Sequence, residues 1–249
     1  MASSICRVGL TIRDDSVDGW VFNLPGCRAI GGSVDEVMGL LPAVVADHVL
    51  WLSQHGDQAG QESSFDFKVV EEVRSNAEFV FEADKEPATA DDVEATVRYV
   101  TYAHEDLTAL TQPMHEALLS WKVPPTAVKI DDRFPDVRSI RDMVAHVGAA
   151  MSFHIRGVGD VANRVRSPEG EPNLRTAFET GVARLRALND EELSGMVYRT
   201  TGPRGEAEWT ARKAFRRIVN HQRFHTREVQ QRLAWLTLGV PEFLPASRE

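Results

Sequence analysis

His221 and His225 stand four residues apart in a stretch, about 209–236, that reads as one long helix. Along it Ala214, Ile218, His221, His225, Val229, Leu233 and Leu236 recur at steps of three and four, the period of a core-facing helix edge. The two histidines therefore take successive places where apolar residues are expected. Arg212, Arg216, Arg223 and Arg227 occupy the opposite side, which reads as a solvated face rather than a nucleic-acid surface. Side chains four apart on a helix have Cβ atoms about 5–6 Å apart, so two imidazoles can reach one metal ion. The spacing by itself is weak, because 8 His in 249 residues give a chance pair of this kind about a quarter of the time. The position adds more. A buried polar group left without a partner costs about 1–3 kcal/mol, and a shared cation satisfies a nitrogen of each ring.

A useful site needs a third donor. Residues 139–158 form a second amphipathic helix, with Ile140, Met143, Val147, Ala150, Met151 and Phe153 on its apolar side. His146 lies among them, and His154 two turns further on. His146 is the better third ligand, since its small and apolar neighbours leave room for a bound molecule. Three neutral imidazoles suit Zn, Ni or Fe(II), with positions left for water or substrate. Such an ion lowers the pKa of bound water toward about 7 or holds a thiolate. Glu228, three residues after His225, can orient that ring, act as a base, or pair with Arg232 at i,i+4. His104 and His115 read as non-ligands, and His48 and His55 carry no assignment. Tyr99 and Tyr102 are candidates for lining a pocket. Cys27 reads as a small residue closing a turn, and Cys6 as part of a core strand.

The surrounding chain divides near residue 87. Before it, Ile5–Ile12, Trp20–Phe22, Arg28–Ile30, Phe65–Val70 and Glu78–Phe81 read as strands. Ser33 with Glu36 forms a capping box that opens a helix to about Ser53. Residues 83–88 make a polar bridge containing Pro87. After it, Thr89 with Asp92 starts a helix to about Trp121, kinked or broken at Pro113 and ended by Pro124 and Pro125. Ser139 with Asp142 caps the second helix, Asn173 starts a third to about Leu188, and Asn189 opens a short piece. Residues 199–208 read as a Gly/Pro-containing loop. The expected fold is α+β in two domains, 1–86 as a small sheet with a packed helix and 87–249 as a four-helix bundle.

The net charge of −9 disfavours a general nucleic-acid coat. Mean hydropathy is −0.27 and no apolar run approaches the roughly 20 residues of a spanning helix, so an integral membrane protein is excluded on this reading. Two cysteines are too few for a disulfide framework, and residues 1–7 lack the apolar core of a signal peptide. These features point to a cytoplasmic protein with free thiols.

Two stretches carry a resemblance to the DinB-like family. One runs from Ser139 through His146 to His154, and the other from Trp209 through His221 to His225, with Leu185–Leu193 as a further match. The resemblance covers about residues 90–240. It implies a four-helix bundle with a metal on one His of the second helix and a His-x-x-x-His pair on the fourth, hence His146, His221 and His225. It also implies a hydrolase or thiol-dependent transferase acting on a small-molecule substrate, with a low-molecular-weight thiol as co-substrate.

Residues 18–27, which end in Leu24, Pro25, Gly26 and Cys27, followed by Gly31–Val37, are similar to HicB-like antitoxin domains. This resemblance covers about residues 5–82 and implies a small sheet with a packed helix. No helix-turn-helix-like segment accompanies it, so the expected role is docking of a protein partner or homodimerisation. The competing expectation is a non-catalytic interaction or regulatory module with a structural or vestigial metal site.

Overall fold

The computed structural model describes residues 4–58, 64–122, 139–159, 174–202 and 205–237. The expected stop at Pro124 and Pro125 and the start at Asn173 lie outside them. The fold is α+β.

β1 (Ser4–Ile12), β2 (Val17–Val21), β3 (Arg28–Gly31) and β4 (Phe65–Arg74) form one mixed sheet in the order β3-β2-β1-β4. β1 and β2 pair antiparallel with Gly9 opposite Trp20, and β1 runs parallel to β4 with Cys6 opposite Phe67. A parallel neighbour needs a crossover, and α1 (Val34–Gln54) lies within it. Ser33 accepts a hydrogen bond from the Glu36 backbone N–H, and the Glu36 carboxylate accepts from Gly32 N–H. Val37, Leu41 and Val45 bury one face of α1 against Val8, Leu10, Val17 and Ala29 of the sheet. α1 is nevertheless long and apolar enough, by length and composition, to cross a membrane, with a mean hydropathy of 1.3 over its best window. This corrects the expectation that no such segment exists. Only 33% of that window is buried, and Leu40 and Leu50 remain exposed.

The expected strand at 78–81 does not form. Glu78 makes a single bridge to Ala207, and Glu82–Lys85 is a turn of 3-10 helix whose Asp84 is buried. α2 (Ala90–Thr111) begins at the Thr89–Asp92 capping box and stops before Pro113, so α3 (Glu116–Leu119) is a separate turn. α4 (Ile140–Arg156) starts at the Ser139–Asp142 box. α5 (Leu174–Arg186) and the short α6 (Asp190–Leu193) follow. The expected loop at 199–208 is instead a hairpin of β5 (Tyr198–Gly202) and β6 (Gly205–Trp209). Its alternation of Tyr198, Thr200 and Trp209 with polar residues suits a half-buried ribbon, a signal that the Gly and Pro of the sequence obscure. α7 (Ala211–Thr237) closes the described chain, its Thr210 hydroxyl accepting from Lys213 N–H.

α7 packs on α2 and α4, and α5 on the same two helices, so the four enclose a common core. Val97, Val100, Met151, Leu185, Phe215 and Ile218 fill it, and Trp51 and Leu52 from α1 belong to the same cluster.

The arginine face of α7 departs most from expectation: Arg216 and Arg223 are buried and Arg212 and Arg227 half-buried, where a solvated face was expected. The Arg216 guanidinium forms two hydrogen bonds to the Asp84 carboxylate at 2.9 and 2.7 Å, with side chains 5% and 1% exposed. It also stacks over Trp20 at 4.5 Å. Arg212 donates to the Pro87 carbonyl, Arg217 pairs with Glu78, and Arg223 stacks over Trp51 while it and Arg227 meet Asp47. Hydrophobic periodicity cannot see this, because the partners that make a charged face buriable lie on residues 20–87.

Candidate metal centre

α4 and α7 bring three imidazoles together. His146 projects from the middle of α4, and His221 and His225 from successive turns of α7. One ligating nitrogen from each lies within 4.8 Å of the others. His146 Nε2 and His221 Nε2 are 3.0 Å apart. Two nitrogens bound at a right angle to one ion with bonds near 2.1 Å would be about 3.0 Å apart. Ring centroids are 4.9 Å for His146–His221, 4.9 Å for His146–His225 and 4.4 Å for His221–His225.

The helices are held in this register by polar contacts beside the site. Gln222 donates to the Val147 carbonyl at 3.3 Å, tying α7 to α4. Thr226 reaches the Ala103 carbonyl of α2. On the other side Asn220 donates to the Gly26 carbonyl at 3.0 Å, so the Pro25–Gly26 turn abuts α7 one residue before His221. Gly26 has φ +104°, and a Cβ there would lie 2.7 Å from Val219, so this close approach requires glycine.

Glu228 is hydrogen-bonded to His225 Nδ1. The carboxylate accepts the Nδ1 proton, which leaves the Nε2 lone pair directed away from Glu228. Of the three roles the sequence left open for Glu228, this contact is the one that an orienting group for His225 would make. Burial, then the neighbouring His225, His154 and His146, push the His221 pKa well below its usual value. That ring is neutral at pH 7, the form that offers a lone pair to a cation.

His154 does not join the three. It is buried beside His221, with ring centroids 5.3 Å apart, and neither of its nitrogens has a hydrogen-bond partner among the described residues. Burial, then Arg217, lowers its pKa to about 3. His221 Nδ1 is likewise buried without such a partner. His104 stacks on Phe178 at 4.1 Å, and His115 is an exposed residue at the start of α3; neither belongs to the cluster. His48 is buried against Trp51 and Tyr99, while His55 pairs with Asp106 and stacks on Tyr102. Tyr99 and Tyr102 thus belong to an aromatic cluster between α1 and α2. Cys6 and Cys27 are buried free thiols, and burial raises the Cys27 pKa, so it is no thiolate nucleophile.

The centre is open on one side. His146 and His221 are half-buried, and His146, exposed Ala149 and exposed Phe153 follow one another on the outer face of α4. On α7 exposed Phe224 flanks His225, ring centroids 5.2 Å apart. Phe153 was expected on the apolar side of its helix, yet it and Phe224 are both exposed. Their exposure follows from the placement of α4 beside α7, which no local pattern encodes.

No family model matches the chain, and no curated protein and no solved structure matches it.

Proposed function

We propose that this protein is a divalent-metal-dependent enzyme of the DinB-like type, a hydrolase or thiol-dependent transferase acting on a small molecule. The observation that carries the reading is the convergence of His146, His221 and His225 from two helices on one point, with the Glu228 carboxylate behind His225. The mutual packing of α2, α4, α5 and α7 supports a four-helix bundle as its frame.

The donor set fits a divalent ion such as Zn, Ni or Fe(II). It is all imidazole, His221 is held neutral by burial, and Glu228 selects the tautomer of His225. An ion held there would supply Lewis acidity toward a water or a low-molecular-weight thiol. The chain's own residues do the rest. Glu228 keeps its proton partner on His225 Nδ1, and the open side between α4 and α7 admits the substrate. Phe153 and Phe224 offer apolar edges against which a non-reacting part can lie. The sheet and α1 form a HicB-like module for docking or homodimerisation, with exposed Leu40 and Leu50 on α1 and Val69 and Val70 on edge strand β4 as available surface. Two buried free thiols suit a cytoplasmic setting.

The test is elemental analysis of untagged protein. About one divalent ion per chain is expected, lost in His146→Ala and in His225→Ala. Absence of stoichiometric metal in a protein with native far-UV circular dichroism and a cooperative melt would overturn the reading.

A further inference from the structure

His221 has two ring nitrogens, and the metal centre uses one. Its Nε2 faces His146 Nε2 at 3.0 Å. Its Nδ1 is buried with no hydrogen-bond partner among the described residues. A neutral imidazole that offers its Nε2 lone pair carries its proton on Nδ1, so this N–H is a donor that needs an acceptor. His225 meets the same need through Glu228.

His154 has what His221 lacks. Both of its nitrogens are buried and, among the described residues, without a partner. Its ring centroid is 5.3 Å from that of His221, with 66° between the planes. Two imidazoles joined by an N–H···N bond of about 3 Å have centroids as much as about 5.4 Å apart, since each nitrogen stands about 1.2 Å from its ring centre. His146 and His154 are separated along α4 by a rise of about 12 Å. His221 lies between them, 4.9 Å from one ring and 5.3 Å from the other, so the edge turned away from His146 is the edge that His154 meets. These unpartnered nitrogens are closed to solvent, and buried polar atoms are seldom left unpaired, so their partners come from inside the protein.

Packing fixes the place of His154. Phe153 and Trp209 flank its ring, with centroids 5.5 and 5.8 Å away. Trp209 reaches this place because Gly157, one turn further along, has no side chain; a Cβ there would overlap the indole. The indole N–H donates to Thr200 Oγ1 at 3.2 Å, so it does not compete for His154.

We infer that His154 is the positioning residue of His221: it accepts the Nδ1 proton in a ring-to-ring hydrogen bond and so directs the Nε2 lone pair at the ion. The inference rests on the metal reading above and adds a fourth histidine that supports the centre without binding the ion. The rings stand at bonding separation with the bond itself not closed. Closing it is a matter of ring rotation, since the outer torsion of histidine is broad, and needs no movement of α4 or α7.

The test uses the full-length protein with nitrogen-15-labelled histidine, metal-free and with one equivalent of zinc. His221 should be the Nδ1–H tautomer and show a scalar coupling across the N–H···N bond to one ring nitrogen of His154. His154→Phe keeps a flat ring beside Trp209 and should lose that coupling. With a melt close to that of the parent protein, it should bind zinc about 10- to 100-fold more weakly in a chelator competition. The coupling is read on the parent protein, so it decides the matter even where the variant fails to fold. Absence of the coupling in both forms overturns the inference, as does an unchanged zinc affinity in folded His154→Phe. A parent protein that shows the coupling but binds no zinc upholds the histidine pair and overturns only the metal reading.

Discussion

Removing the Arg216 guanidinium should destabilise the protein by about 3–5 kcal/mol, because it leaves the Asp84 carboxylate buried without its charge partner. The two side chains are 5% and 1% exposed, so water cannot replace what is lost. Among the described residues Asp84 would retain only the Phe81 N–H, at 3.2 Å. Arg216→Met keeps most of the aliphatic stem against Trp20 and Phe81 while deleting the charge. Asp84→Ala should cost a similar amount, since it strands the guanidinium instead. The double variant should cost well below the sum of the two singles, with a coupling of about 2–3 kcal/mol, because it buries no unpaired charge. Urea denaturation followed by circular dichroism measures all three. A single transition is also expected, since this pair joins the 82–85 turn to α7 and the core cluster extends from α1 into the helices. Additive single variants, or a cost below about 1 kcal/mol for Arg216→Met, would refute the reasoning that this contact is a desolvated ion pair.

Glu228→Gln keeps the shape of the His225 contact but removes its charge, and should weaken metal binding about 10- to 100-fold in a chelator competition; unchanged affinity would remove Glu228 from the site. His48, pushed by burial and then Arg223 to a pKa of about 4, makes stability acid-sensitive. Its folded pKa is below the unfolded value near 6.5, so the unfolded chain binds the extra proton and stability falls as pH drops from about 6.5 to 4, by up to about 3 kcal/mol. His48→Leu should flatten that slope in melts recorded across the window, and an unchanged slope would count against a neutral buried ring. Gly195→Ala should destabilise by at least about 2 kcal/mol, because φ is +87° and a Cβ would sit 1.9 Å from the Lys85 carbonyl oxygen; a melt equal to that of the parent protein would contradict the described turn.

Much of this molecule is decided by interactions a few residues long, and these are legible in the sequence. Ser33, Thr89, Ser139 and Asn189 each cap a helix in the structure, since a capping bond spans three residues whatever the rest of the chain does. The four-residue step from His221 to His225 likewise puts both rings on one face of α7 by helix geometry alone. What brings His146 to them across 75 residues is the packing of α4 on α7, and what chose His146 over His154 is the height at which those helices meet. The arginines of α7 show the limit from the other side: a row of charges reads as a wet surface until Asp84, Glu78 and Trp20 from the sheet half cover it. Local periodicity determines which residues share a face. Only the tertiary structure decides what that face meets, because burial and charge pairing depend on partners far away in the chain.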